Sequence, residues 1–286
     1  MTRGMAPRST QELLLTLFGD YLLEREEPVW VGYLIDLLAT LEVSGSSVRT
    51  SLSRMVGKGW LETRREGRRS YYRLTPNGRE LLLRGGERIH RPPRKEPWDG
   101  KWSVVTYSIP EDRRELRDKL RVRLAWLGCG ALGNGVWISP HDVAGSLAEI
   151  GGELGMEGRI HAFRGPFQGP GREEEMIQVC WELSALERTY ENFVVEARQL
   201  LKSCVDEKNR FGRLCPAQSF LRRLNLIHEY RQFPLRDPYL PRNFLPEAWS
   251  GDEAAELFEE LHDLLGRPAR RHVNWVLAGL GRRGTA

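Results

Sequence analysis

The segment from Val43 to Leu83 constrains the fold more tightly than any other part of the chain. Val43-Ser44-Gly45 makes a tight turn, and Ser44 or Ser46 is placed to cap a helix running to about Gly57. Along that helix Val48, Leu52 and Met55 recur at helical spacing on one side, while Ser46, Ser47, Arg49, Thr50, Ser53 and Arg54 fall on the other. Gly57 and Gly59 end it. Two strand-like runs, 60–64 and 70–74, flank Glu66-Gly67-Arg68 and predict a β-hairpin. Thr75-Pro76 then opens a helix to about residue 83, with Thr as cap and Pro at the first position, where its missing N–H costs nothing.

Upstream, residues 10–23 read as a helix with Leu13, Leu14, Leu17, Phe18, Tyr21 and Leu22 on one face. Pro28 interrupts, and a second helix spans 32–41 with Leu34, Leu37, Leu38 and Leu41 aligned. Helix, helix, turn, helix, hairpin, helix is the order of a winged helix-turn-helix, so 1–88 is expected to be a DNA-binding domain. Charge points the same way. Residues 44–95 hold 14 Lys+Arg against 4 Asp+Glu, a net of +10, whereas 96–286 hold 26 against 28. One basic region on a nearly neutral body is the footprint of a phosphate-backbone binder.

The third helix is expected to enter a major groove, where Arg49 makes a bidentate contact to guanine and its Ser and Thr neighbours reach bases or phosphates. The hairpin, with Arg64, Arg65, Arg68, Arg69 and Arg73, is expected over a phosphate backbone or in a minor groove. Trp60, Tyr71, Tyr72 and Leu74 are expected to alternate between the core and the DNA side.

Residues 85–97, rich in Gly, Pro and charge, read as a connector, with the linker itself at 89–97. A second domain, 98–184, is read as strand 102–109, helix 111–127 with Leu116, Leu120, Leu124 and Leu127 inward, a segment 131–138 in which strand 136–138 follows a Gly-rich approach, helix 143–154, and strands 159–163 and 176–181. That pattern is taken as a ferredoxin-like βαββαβ unit. The remainder, 185–286, is read as a helical C-terminal domain with helices at 187–204, 217–232, 252–265 and 270–280 around a Pro-rich connector. The expected fold class is therefore α+β multidomain.

Other classes are disfavoured. No run approaches the roughly 18 apolar residues of a membrane span, and the first ten residues lack a signal-peptide core, so a cytoplasmic protein with no membrane association is expected. Cys129, Cys180, Cys204 and Cys215 form no C-x-x-C pair and are expected to be buried structural thiols, with no metal or cofactor. His228 beside Glu229 has no third group to complete a triad, so no enzyme is expected.

The run VRTSLSRMVGKGWLETRREGRRSYYRLTPNGRELL resembles the N-terminal domain of the PaaX family, the phenylacetic-acid-degradation repressors. The similarity continues through WDGKWSVVTYSIPE, HEYRQFPLRDPYLP and FLPEAWSGDEA, and so spans nearly the whole chain. The resemblance implies a homodimeric repressor of aromatic-catabolism genes that binds double-stranded operator DNA and is released by an acyl-CoA, phenylacetyl-CoA. Arg222, Arg223, His228, Arg231 and Arg236 are candidates to bind the phosphates of such an effector, because the guanidinium fork matches phosphate oxygens. The alternative for these residues is a structural Arg–Asp and His–backbone network. VVTYSIPEDRRELRDKL also resembles the start of small ferredoxin-like CRISPR-associated nucleases, which gives the rival reading of a metal-dependent nuclease. Those proteins end the first strand with a metal-binding Asp, and here the position is Ser108, which cannot supply the anionic oxygen that Mg²⁺ prefers.

Overall fold

The chain is mixed α+β: a computed structural model describes residues 9–89 and 97–280, and among them two antiparallel sheets are set in a mainly helical chain. By the proximity of its Cα atoms the chain forms two units. One comprises 9–89, 196–230 and 256–280 of the described residues, and the other 97–195 and 231–255.

The first unit begins with α1 (Thr10–Leu17), a π-helical turn (Phe18–Leu22), a two-residue strand β1 (Val29–Trp30) and α2 (Val31–Ala39). α3 (Gly45–Gly57), β2 (Leu61–Glu66), β3 (Arg69–Leu74) and α4 (Pro76–Ile89) follow. α2 ends in a left-handed residue, Glu42 at φ 60°, with Glu42 N–H donating to Ala39 O at 3.0 Å and Val43 N–H to Leu38 O at 3.3 Å. This is a Schellman closure, a motif that usually takes glycine. α3 starts at Ser44, whose hydroxyl accepts from Ser47 N–H at 3.2 Å, and Val48, Leu52 and Met55 are fully buried along it. Its end repeats the closure with Gly59 at φ 70°: Trp60 N–H reaches Met55 O at 3.0 Å. Thr75 caps α4 by accepting from Gly78 N–H at 3.0 Å. A Cβ at Gly78 would sit 2.0 Å from Trp60 O, so only glycine lets α4 close on the hairpin.

Two elements here differ from expectation. β1 was not foreseen; it pairs with β3 to make a three-stranded sheet in the order β1-β3-β2. α4 continues to Ile89, so the start of the expected connector is helical, supported by the Arg84–Glu80 pair at 2.8 Å and by Leu82 packing on the core; 90–96 lie outside the described residues.

The core of this unit is closed by the far end of the chain. Leu13, Leu17, Leu34 and Leu52 pack in one cluster with Phe220 and Leu224 of α9 (Pro216–Tyr230) and Ala269 and Val273 of α11 (Ser250–Leu277). α11 joins what the sequence suggested were two helices, running unbroken through Pro268. An interior Pro costs about 3 kcal/mol. Leu261, Leu265, Ala269 and Val273, all buried on both sides of it, offset that cost at roughly 1.5–3 kcal/mol for each large side chain.

In the second unit β4 (Trp102–Tyr107), α5 (Arg114–Trp126), β5 (Gly130–Gly133), β6 (Val136–Ser139), α6 (Ala144–Leu154) and β7 (Ile160–Gly165) form a four-stranded sheet in the order β5-β6-β4-β7. Val105, with Leu120 and Leu124 of α5 and Leu147 and Ile150 of α6, builds the core on one face. Trp102 and Ile138 face the other way, against Ile177 and Leu240. The expected strand at 176–181 is instead helix α7 (Glu173–Cys180). Three consecutive glutamates in its first turn complement the positive end of the helix, and Glu175 Oε2 reaches back to accept from the Arg172 N–H at 3.5 Å. The fourth strand is β5, hidden in a Gly-rich segment. α8 (Leu183–Phe211) begins in this unit, and so does the short α10 (Phe233–Arg236).

Four free cysteines are present, and Cys215 is exposed, contrary to expectation. It immediately precedes Pro216, and its carbonyl receives the first α9 bond, from Ser219 N–H at 2.9 Å, so it closes the helix start and does not pack. Burial pushes the Cys129 thiol up to about 12 and that of Cys180 to about 11, which leaves both protonated and unreactive at neutral pH. No helix among the described residues is long and apolar enough to cross a membrane.

Candidate nucleic-acid interface

The polar side of α3 is open to solvent. Ser46, Ser47, Arg49, Thr50, Ser53 and Arg54 are all exposed, because the buried Val48, Ser51, Leu52 and Met55 turn the opposite stripe inward. Ser46 and Ser47 also belong to the cap. Their hydroxyls each lie 2.9 Å from that of Ser44, so they are held at the first turn of the helix. Arg49 folds back over that turn, its Nη1 lying 3.2 Å from where a Cβ on Gly45 would stand.

The hairpin extends from the end of α3. The register Glu66↔Arg69 leaves a two-residue loop, Gly67-Arg68, and Gly67 adopts φ 57°, the conformation that the tight mirror-image turn requires of its first residue. Strand alternation then sorts the side chains. Leu61, Tyr72 and Leu74 face the core with Trp60, whereas Glu62, Arg64, Glu66, Arg69, Tyr71 and Arg73 share the outer face. Tyr71 is thus the only one of the four expected large residues on the outer side.

The arginines divide by what they touch. Arg64 pairs with Glu66 at 3.1 Å, Arg73 pairs with Glu62, and Arg69 lies 5.0 Å over the Trp30 ring. Each is more than a third exposed or carried on an exposed strand, so these contacts orient the side chains without binding them strongly. Arg49, Arg54, Arg65 and Arg68 are exposed and make no hydrogen bond or ion pair with any described residue. Two uncommitted guanidiniums on α3 and two on the hairpin that follows it leave this segment with positive charge that no internal acid neutralises. Trp30, which carries Arg69, and Lys58, at the end of α3, were missed. Lys58 sits 4.5 Å over the Trp60 ring and donates to Gln11 Oε1 at 3.3 Å.

The five C-terminal candidates are placed differently. Arg222 donates to Glu207 Oε2 at 2.6 Å and lies 3.6 Å from Cys204 Sγ; Glu207, which also accepts from Cys215 N–H, is held below the usual carboxylate range by that bond first and by Arg222 second. Arg223 is buried, pairs with Asp20 and His262, and also donates through Nε to His262 O at 3.2 Å. Arg222, Arg223 and the half-buried His228 lie in the first unit, and Arg231 and Arg236 in the second. Arg236 is exposed on a cleft of about 220 Å³ lined by Trp181, Leu183, Leu186, Thr189 and Pro238. Ser108 is exposed just beyond β4 and donates its N–H to Arg159 O at 3.2 Å. Among the described residues no three His, Cys, Asp or Glu are grouped to hold a metal ion.

Three family models match consecutive parts of the chain: "PaaX-like protein" over 9–78, "PaaX protein central Cas2-like domain" over 95–177 and "PaaX-like protein C-terminal domain" over 181–275. The transcriptional repressor PaaX of Escherichia coli strain K12 is 34% identical over 274 residues, covering 94% of this chain and 84% of that protein. A solved structure of an uncharacterized protein from Mycobacterium tuberculosis is similar with a TM-score of 0.56 at 20% identity, over 93% of this chain and 98% of that one, a likeness of fold.

Proposed function

This chain belongs to the PaaX family, and on that premise we propose that it is a sequence-specific DNA-binding transcriptional repressor of aromatic, phenylacetate-type catabolism genes, and no enzyme. One observation carries the reading: Arg49 and Arg54 on α3 and Arg65 and Arg68 on its hairpin are exposed and have no partner among the described residues. We read 1–88 as a winged helix-turn-helix in which α3 enters the major groove. Arg49, Thr50, Ser53 and Arg54 then meet base edges or phosphates, Ser46 and Ser47 meet phosphate near the helix start, and Arg64, Arg65, Arg68 and Arg69 follow the backbone. With 89–97 as linker, 98–184 is read as a ferredoxin-like domain, in keeping with the strand order β5-β6-β4-β7, and 185–286 as the helical C-terminal domain.

Two copies are expected to bind a dyad-symmetric operator. An acyl-CoA, phenylacetyl-CoA, is expected to release them by binding the DNA-free state more tightly, since a ligand with equal affinity for both states shifts nothing. Of the five effector candidates Arg236 is the most accessible, facing an apolar cleft beside Trp181. Arg222 and Arg223 would engage an effector only after leaving Glu207 and Asp20.

A gel-shift titration of the purified chain on the duplex upstream of its own gene, at low salt and without ligand, tests the reading. Retardation of that duplex over a shuffled one of equal length is expected; equal binding to both removes the sequence-specific repressor. Calorimetry with phenylacetyl-CoA tests the effector separately, and heat with no accompanying loss of DNA binding removes the release mechanism.

A further inference from the structure

We propose that Trp30 is a positioning residue for DNA binding: its ring holds the Arg69 guanidinium, still fully charged, in place for a backbone phosphate. The proposal rests on the repressor reading and deepens it, because it separates the arginines of the hairpin by what holds them.

The ring is placed by its neighbours. β1 pairs antiparallel with β3, and the register sets Trp30 opposite Tyr71 and Val29 opposite Tyr72. Val29 and Tyr72 pack in the core, so Trp30 falls on the outer face with Tyr71 and Arg69. Arg69, two positions from Tyr71, is the diagonal cross-strand neighbour of Trp30, within reach of a long side chain. Below, the ring lies on the first turn of α2. A Cβ at Gly32 would meet three of its carbons at 2.6 to 2.7 Å. Gly32 is helical and has no positive φ, so its backbone does not require glycine; the ring does. To the side, Tyr33 meets the ring edge-on, with centroids 5.2 Å apart and planes at 84°. Tyr33 is itself stopped at the end of α11, where its hydroxyl lies 3.1 Å from where a Cβ on Gly279 would stand.

The ring does for Arg69 what a carboxylate cannot do for its neighbours. Arg64 and Arg73 are paired with Glu66 and Glu62. Those pairs are neutral, and a phosphate approaching either arginine meets the carboxylate as well. Glu66 stands opposite Arg69 in the register, yet it turns to Arg64. Arg69 makes no hydrogen bond or ion pair with any described residue, and its guanidinium lies 5.0 Å over the Trp30 ring. The ring face attracts a cation, brings no negative charge and competes for none of the N–H groups that a phosphate would take. Arg69 therefore keeps its charge and its donors, and it has less rotamer freedom to lose on binding than an unsupported arginine. The contact strengthens in the complex, because a duplex laid on the hairpin expels water from the ring and the cation.

The test is a double-mutant cycle, read by anisotropy titration of the full-length chain on two duplexes across a salt series. One duplex is that upstream of its own gene and the other a shuffled one. Trp30→Leu keeps apolar bulk and removes the π face. It is expected to weaken both duplexes by roughly five-fold, the difference between an exposed and a desolvated cation–π contact. Their ratio should not change, since a phosphate contact carries no sequence information. In an Arg69→Ala background the same change should cost nothing further, whereas a ring that only supported the fold would weaken binding with or without Arg69. Trp30→Phe, which restores a π face, should recover most of the loss. Arg69→Ala alone should lower the slope of log affinity against log salt by about 0.9, and Arg64→Ala by less than about half of that. Gly32→Ala is a second route. Alanine suits a helix better than glycine, and its Cβ displaces the ring without deleting it; a similar loss is expected, again only with Arg69 in place. If Trp30→Leu does not fold, as judged by circular dichroism, Gly32→Ala and the two arginine variants decide.

Additive losses, an effect confined to one duplex, or equal salt slopes for the Arg64 and Arg69 variants overturn the positioning role. The repressor reading is judged on the wild type: preference for its own duplex, with additive losses in the variants, keeps the repressor and removes the role of Trp30. Equal binding to both duplexes with coupled losses removes the sequence-specific reader and keeps the phosphate contact. A wild type that binds neither duplex removes both.

Discussion

In α9 the guanidinium of Arg223 is buried against Asp20 and His262, whereas in α3 those of Arg49 and Arg54 stand in solvent with no partner among the described residues. The side chain is the same, and water decides its use. Arg223, 5% exposed, was desolvated when the chain folded, and only its fixed partners offset that cost. It tethers the π-helical turn of the N-terminal segment to α9 and α11, assisted by Arg270, which donates to Asp20 O at 3.2 Å. Arg49 and Arg54 keep their hydration and can exchange it for a polyanion, with counterion release favouring the exchange. Local density of basic residues does not separate the two roles; commitment to an internal acid does.

The most demanding test of this contrast is Arg223→Ala. Leaving Asp20 buried without its partner should cost about 3–5 kcal/mol in urea denaturation. A loss below roughly 1 kcal/mol, the range of exposed pairs, would erase the distinction between the two regions. Next in size is Arg49→Ala, expected to change stability by no more than about 0.5 kcal/mol, as surface substitutions do. It should nevertheless lose roughly 1–3 kcal/mol of discrimination at one operator base pair, measured by competition with single-base variants. Arg68→Ala sharpens the contrast within the exposed set. It should weaken all duplexes alike and reduce the slope of log affinity against log salt by about 0.9, the value for one phosphate contact. Identical behaviour of the Arg49 and Arg68 variants would merge the helix and hairpin roles. Smallest is Glu42→Gly, which relieves a left-handed glutamate at the turn before α3 and should raise stability by roughly 0.5–1 kcal/mol with DNA affinity unchanged.

What was legible in the sequence follows the same division. The exposed stripe of α3, the hairpin at Gly67 and the Thr75 cap were readable, because each depends on neighbours within a few positions. β1 was not, since Val29-Trp30 is too short to show a period and forms only because Tyr71 and Tyr72 pair with it. The segment 173–180 carries apolar residues that suit a strand, and its acidic first turn tips it to helix. Pro268 signals a break that buried neighbours override. The partner of Arg223 lies 203 residues away, beyond any local pattern, so a network was foreseeable as an alternative but Asp20 was not.

The shared core of the first unit carries a consequence for the order of synthesis. Leu13 and Leu17 pack beside Ala269 and Val273, so the helices that present α3 acquire this supporting layer only when α11 has emerged. At 5–20 residues per second, translation of the intervening 250 positions or so takes roughly 12–50 s. During that interval the nascent N-terminal segment should be readily cleaved by protease, and a ribosome-stalled chain ending before α9 should not retard operator DNA. Half-made molecules would then be unable to occupy a promoter and block it unproductively.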